Sequence, residues 1–155
     1  MTFDEVQAYV VAGRAVLTLE SKRTGNHYTY KVSQARSKLT GLPTPNTYFV
    51  NLLTGPDNLS DYTYLGMMTA EGKALRFRTT AASRLKQGTP SVAGWNYLLA
   101  HLGYGRLPSD MVVRHEGRCG KCARVLTHPE SLQRGIGPEC WVRVGGGLLC
   151  TTEGE

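Results

Sequence analysis

Cysteine is the residue type with the best-defined chemistry in this sequence. Cys119 and Cys122 are two residues apart in Arg118-Cys-Gly-Lys-Cys122, and Cys140 follows a Gly-Pro turn in Gly135-Ile-Gly-Pro-Glu-Cys140. A C-x2-C pair can aim two thiolates at one ion from a tight turn, about 2.3 Å from a tetrahedral zinc. Pro138 is tolerated in a first helical turn, which puts Cys140 at a helix start. All four cysteines lie at or beyond position 119. That clustering, with no secretory signal, favours a metal in a reducing compartment over two disulfides. A structural zinc site is the expectation.

The fourth ligand has three candidates. His115 completes H-x3-C-x2-C, on the run that leads into the knuckle. Cys150 would give an all-sulfur site, reached over the flexible Gly145-Gly-Gly147. His128 is the third, but Thr127-His-Pro-Glu130 reads as a capping box with His128 exposed at the first helical position. A knuckle followed by a ligand on a helix start is the order found in treble-clef zinc modules.

Cys119-Gly-Lys-Cys-Ala-Arg-Val-Leu-Thr127, Pro129-Glu-Ser131 and Gly135-Ile-Gly-Pro-Glu-Cys140 together resemble a signature of uncharacterised proteins from bacteriophages and some bacteria. The similarity covers residues 111–143 and is too specific a string for composition alone to explain. It implies zinc and a phage source, and supplies no activity. A histidine shortly before the first cysteine is common in that family, which favours His115. Ala123 departs from the pattern, where a second glycine is more usual.

Charge points to a partner. The chain has a net charge of +6, and from Lys73 to Arg124 its only acids are Asp110 and Glu116. Such an excess is the electrostatic footprint of a nucleic-acid binder, or simply a soluble basic surface. Single strands are held by aromatic faces that stack bases beside cations that follow phosphates. Tyr28, Tyr30, Tyr48, Tyr62 and Tyr64 supply rings; Lys31, Arg76, Arg78, Arg84 and Lys86 supply charge. Arg118, Lys121 and Arg124 surround the knuckle. The nucleic-acid contacts expected are Lys31, Arg76, Arg78, Arg118, Lys121, Arg124, Tyr28 and Tyr62. Tyrosines that alternate along a strand are also ordinary half-buried sheet residues.

The elements that must position these groups are legible in outline. Thr2-Phe-Asp-Glu5 is a capping box opening a helix with Phe3, Val6 and Val10 on one face, which Gly13 closes. Strands are expected over 15–20, 27–32, 47–53, 61–68 and 74–79, with 33–46 a loop. Val92, Trp95, Leu98, Leu99 and Leu102 form the apolar stripe of a helix that starts at Thr89-Pro90 and ends at Gly103. The fold class expected is α+β: an antiparallel sheet with one or two covering helices, plus a treble-clef-like zinc module at the C-terminal end. The division expected is a β-rich domain over 1–105 and a zinc module over 110–150.

Enzymatic chemistry has little support. Gly135-Ile-Gly-Pro lacks the preceding strand and following Lys-Ser/Thr of a phosphate loop. No H-x-E precedes a P-C-x-x-C, as a zinc deaminase requires. No apolar run approaches the ~20 residues of a membrane span, so a cytoplasmic protein is expected, in the host cell if phage-encoded. Two readings follow. One is a zinc-containing accessory protein that binds nucleic acid, DNA over RNA and single strands preferred, in phage replication or recombination. The other is an interaction module that redirects a host protein, with zinc as a staple.

Overall fold

The computed structural model describes residues 1–57, 59–86 and 88–143. The protein is α+β. Among the described residues there is one sheet, six-stranded and antiparallel throughout, built from β1 (Arg14–Ser21), β2 (His27–Arg36), β3 (Pro43–Leu53), β4 (Tyr62–Glu71), β5 (Ala74–Arg78) and β6 (Met111–His115). The strand order is β5-β4-β3-β2-β1-β6, so the last strand returns to lie beside the first.

Alternation along the strands separates an apolar face from a polar one. Ala15, Leu17 and Leu19 of β1 are buried with Tyr30 and Val32 of β2 and Tyr48, Val50 and Leu52 of β3. Helices α1 (Phe3–Val10) and α2 (Pro90–Gly103) add Val6, Tyr9 and Val10, and Val92, Trp95, Leu98, Leu99 and Leu102, to the same core. The α1 capping box forms as expected: Glu5 N–H donates to Thr2 Oγ1 at 3.3 Å, and Thr2 N–H donates to the Glu5 carboxylate at 2.7 Å. Three tyrosine hydroxyls fasten the helices to the sheet. Tyr30 donates to the Ser91 carbonyl at 2.6 Å, and Tyr48 donates to the Val11 carbonyl at 3.0 Å. Tyr9 donates to the Val16 carbonyl at 2.8 Å and accepts from the Val16 N–H at 3.0 Å. The rings of Tyr30 and Tyr48 are therefore core, not base platforms.

The structure corrects the reading of 33–46, ends α1 at Val10 with Val11 rather than Gly13 as its cap, and adds a sixth strand. The loop expected over 33–46 is mostly strand, because β2 continues to Arg36 and β3 begins at Pro43. The prolines sit at the start of β3, where pairing is irregular and a missing N–H costs little. The sixth strand, Met111–His115, is short and carries too little pattern to stand out in sequence. It pairs from Ser21↔Met111 to Leu17↔His115 and so delivers the chain directly to the cysteine knuckle.

Candidate metal centre and the basic cavity beside it

The knuckle is built by local hydrogen bonds. Arg118 bridges Val125, Cys119 N–H donates to the Arg124 carbonyl at 2.8 Å, and Ala123 N–H donates to the Cys119 carbonyl at 2.8 Å. Closing so tight a turn forces Ala123 to φ +66°, a left-handed conformation that L-residues other than glycine adopt at a cost. This is the one position where the sequence departs from the resembled signature. Two short helices follow, α3 (Pro129–Arg134) and α4 (Pro138–Arg143), and Cys140 sits in the first turn of α4 behind Pro138, as expected.

These elements bring Cys119, Cys122 and Cys140 together with all three sulfurs within 4.8 Å of one another, and none is in a disulfide. Sulfurs about 2.3 Å from a tetrahedral ion lie about 3.8 Å apart, so the cluster fits a metal with little closure. Electrostatics agree. Burial disfavours the Cys119 thiolate, but N–H donors from Gly137, Cys122 and Lys121 outweigh it and lower the thiol pKa. The Gly137 and Lys121 N–H groups each stand 3.3 Å from Cys119 Sγ. Burial pushes the Cys140 thiol up to about 12, and the neighbouring Cys122 and Cys119 sulfurs add to the rise. Three adjacent thiols resist joint ionisation, and a bound cation removes that obstacle.

The module is seated on the fold through its glycines. Gly120 N–H donates to the Gly135 carbonyl at 2.8 Å, and the Gly120 carbonyl accepts from Arg14 N–H at 2.6 Å. The Tyr9 ring covers both glycines: a Cβ at Gly120 would meet Tyr9 Cδ1 at 2.6 Å, and one at Gly135 would meet it at 2.8 Å. Cys119, Leu126, Ile136 and Cys140 join the same buried cluster as the helices and sheet.

His115 lies at the end of β6 and is not brought into the sulfur cluster. Its Nδ1 accepts from Gly117 N–H at 2.9 Å, and its Nε2 contacts the Leu132 carbonyl. Cys150 lies outside the described residues. His128 is the N-cap of α3 rather than its first helical residue, because Pro129 takes that position; the capping box expected at Thr127 does not form. A cavity of about 280 Å³ borders the three cysteines and is also lined by His128, Ser131 and Glu139.

A larger cavity, about 900 Å³, opens between the polar sheet face and the other side of the knuckle. Arg14, Lys31 and Arg36 line it from β1 and β2, and Arg118 and Lys121 line it from the knuckle. Among the described residues Glu116 is the one acid in its lining, and Tyr62 supplies a ring. Lys31 Nζ stands over that ring, 5.3 Å from its centroid. The sheet curls enough that Tyr62 on β4 and Glu116 beyond β6 border one space, although three strands separate their elements.

Of the nucleic-acid contacts expected from sequence, the fold therefore gathers Lys31, Arg118, Lys121 and Tyr62. Arg76 and Arg78 lie on β5, at the sheet edge opposite β6. Tyr28 is packed against the core, and Arg124 borders the smaller cavity beside the cysteines. Arg14 and Arg36 were not singled out by sequence. Strand phase links Arg14 to Lys31, since Val16, two residues from Arg14 on the same face, pairs with Lys31. Arg36 lay in the stretch read as loop.

Among the described residues, no helix is long and apolar enough to cross a membrane. No curated protein and no solved structure matches the chain. Residues 109–145, which contain β6, the knuckle and all three clustered cysteines, match the family described as "Family of unknown function (DUF6011)".

Proposed function

We propose that this is a non-enzymatic, zinc-containing nucleic-acid-binding protein in which the metal holds the knuckle against the sheet. The observation that carries this reading is the convergence of Arg14, Lys31, Arg36, Arg118 and Lys121 on one cavity that holds, among the described residues, a single carboxylate, Glu116. Side chains from two distant parts of the chain make a basic surface there. A negatively charged polymer with regularly spaced phosphates is the complementary ligand. Tyr62 adds an aromatic ring to the cavity wall beside Lys31, and a ring among cations favours a single strand over a duplex. Zinc is favoured by the soft, three-sulfur donor set. The resemblance to phage-associated sequences supplies only the setting, in which a protein that binds single-stranded DNA would serve replication or recombination.

Fluorescence anisotropy with a labelled single-stranded oligonucleotide across a salt series tests this directly. Log affinity should fall with log salt, with a slope of about −3.5 if all five cations engage phosphates. No binding to single-stranded DNA or RNA at low salt would refute the reading.

A second reading, a module that engages a host protein, draws on the loop between β2 and β3. Leu39 and Leu42 there are 96% and 65% exposed. Binding to a partner through such apolar residues should persist at salt concentrations that abolish phosphate contacts.

A further inference from the structure

We infer that the imidazole of His128 is the fourth protein ligand of the metal, closing a site of three sulfurs and one nitrogen. This rests on the cysteine cluster being a metal site.

Three thiolates leave one tetrahedral position to fill, and a structural zinc site is almost always closed by protein donors. The open side of the cluster is the 280 Å³ cavity, and His128 lines it. Its ring is uncommitted where an N-cap side chain would usually be engaged: it makes no capping bond, and the backbone carbonyl alone receives Leu132 N–H at 2.9 Å. His115 is the opposite case. Both of its ring nitrogens are occupied, by Gly117 N–H and by the Leu132 carbonyl, and its ring packs 5.7 Å from that of Tyr9. Recruiting His115 would break those contacts. His128 lies outside the 4.8 Å sulfur cluster, so closure requires its side chain to rotate toward the ion.

Ser131 supplies an independent observation. It is 1% exposed, its Oγ has no hydrogen-bond partner among the described residues, and it lines the same cavity. A buried hydroxyl without a partner is costly, and it marks a place where something polar is missing. A metal-bound thiolate there would accept from it, as groups around metal ligands commonly do. Charge also favours an imidazole. Three thiolates and a divalent ion sum to −1, and a neutral ring leaves that unchanged, whereas a fourth thiolate or Glu139 would deepen it beside an already buried Cys140.

The test uses the full chain loaded with the NMR-active cadmium isotope. Proton–cadmium correlation should show couplings to the Cβ protons of Cys119, Cys122 and Cys140 and to the ring protons of His128. Coupling to His115, coupling to Cys150, or coupling to three cysteines alone would overturn the assignment. Failure to take up cadmium, cobalt or zinc at all would instead remove the metal reading beneath it. In a second arm, His128→Ala should lower cobalt affinity at least about tenfold and alter the cobalt visible spectrum. His115→Ala should leave that spectrum unchanged. The reverse pattern would give the fourth position to His115.

Discussion

Gly120 lies so close to the Tyr9 ring that a Cβ on it would stand 2.6 Å from both Cδ1 and Cε1. Tyr9 belongs to the first helix and Gly120 to the cysteine knuckle, so this contact seats the knuckle on the fold. A second backbone segment crowds the same ring edge, since a Cβ at Gly135 would stand 2.8 Å from Cδ1. Gly120→Ala must push the two apart, at a cost of about 1–3 kcal/mol. Chemical denaturation should show that loss, and metal competition should show weaker binding. Unchanged values in both would mean the contact does not hold the module.

The Tyr9 hydroxyl does a second job at the end of the β1–β6 ladder. Pairing stops at Leu17↔His115, and the next residue, Val16, has both its N–H and its C=O held by Tyr9. Tyr9→Phe should cost about 1–3 kcal/mol by leaving these groups unpaired. It should also change the response to alkali. Burial raises the Tyr9 pKa above its ordinary value. The unfolded chain then releases the proton first, near pH ~10, while the folded chain retains it. The contribution is full below that pH and is lost as pH rises beyond it. Denaturation from pH 8 upward should show a shallower alkaline decline in Tyr9→Phe than in the wild type, with a residual decline from Tyr30, which burial shifts the same way.

Ala123 is the one knuckle residue whose backbone is strained by its side chain, at φ +66°. Ala123→Gly removes that strain and should raise stability by about 1 kcal/mol, less the entropy that glycine returns to the unfolded chain. Thermal melts of the metal-loaded protein check the sign. A lower melting temperature would show that the turn is not limiting.

These relationships explain what could be seen in sequence. Spacing alone identified Cys119, Cys122 and Cys140, because C-x2-C and a Gly-Pro helix start are local patterns. The α2 stripe from Val92 to Leu102 was legible for the same reason. Arg14 and Arg118 could not be joined that way, because their meeting depends on β6 returning beside β1 and on Gly120 fitting under Tyr9. Arg76 and Arg78 looked equally good in sequence, since charge and strand phase carry no information about which edge of a sheet a strand occupies. His128 was misplaced by a single residue: Pro129 claims the first helical position and moves the cap onto the histidine.

Position in the fold separates two pairs of cations experimentally. Lys31→Ala and Arg118→Ala should each weaken single-strand binding and reduce the salt slope by about 0.7. Arg76→Ala and Arg78→Ala, at the far sheet edge, should leave both nearly unchanged. Equal losses from all four would indicate diffuse attraction to a basic protein rather than binding in the cavity.

Metal and binding should be coupled, because Arg118 and Lys121 reach the cavity through the folded knuckle. The decisive measurement is the anisotropy salt titration on one protein sample in three states: metal-loaded, chelated, and reloaded with zinc. The expected result is that chelation weakens single-strand affinity and lowers the salt slope by about 1.4, the share of two phosphate contacts, and that zinc restores both. A chelated protein that binds with undiminished affinity and slope would contradict a metal-organised cavity.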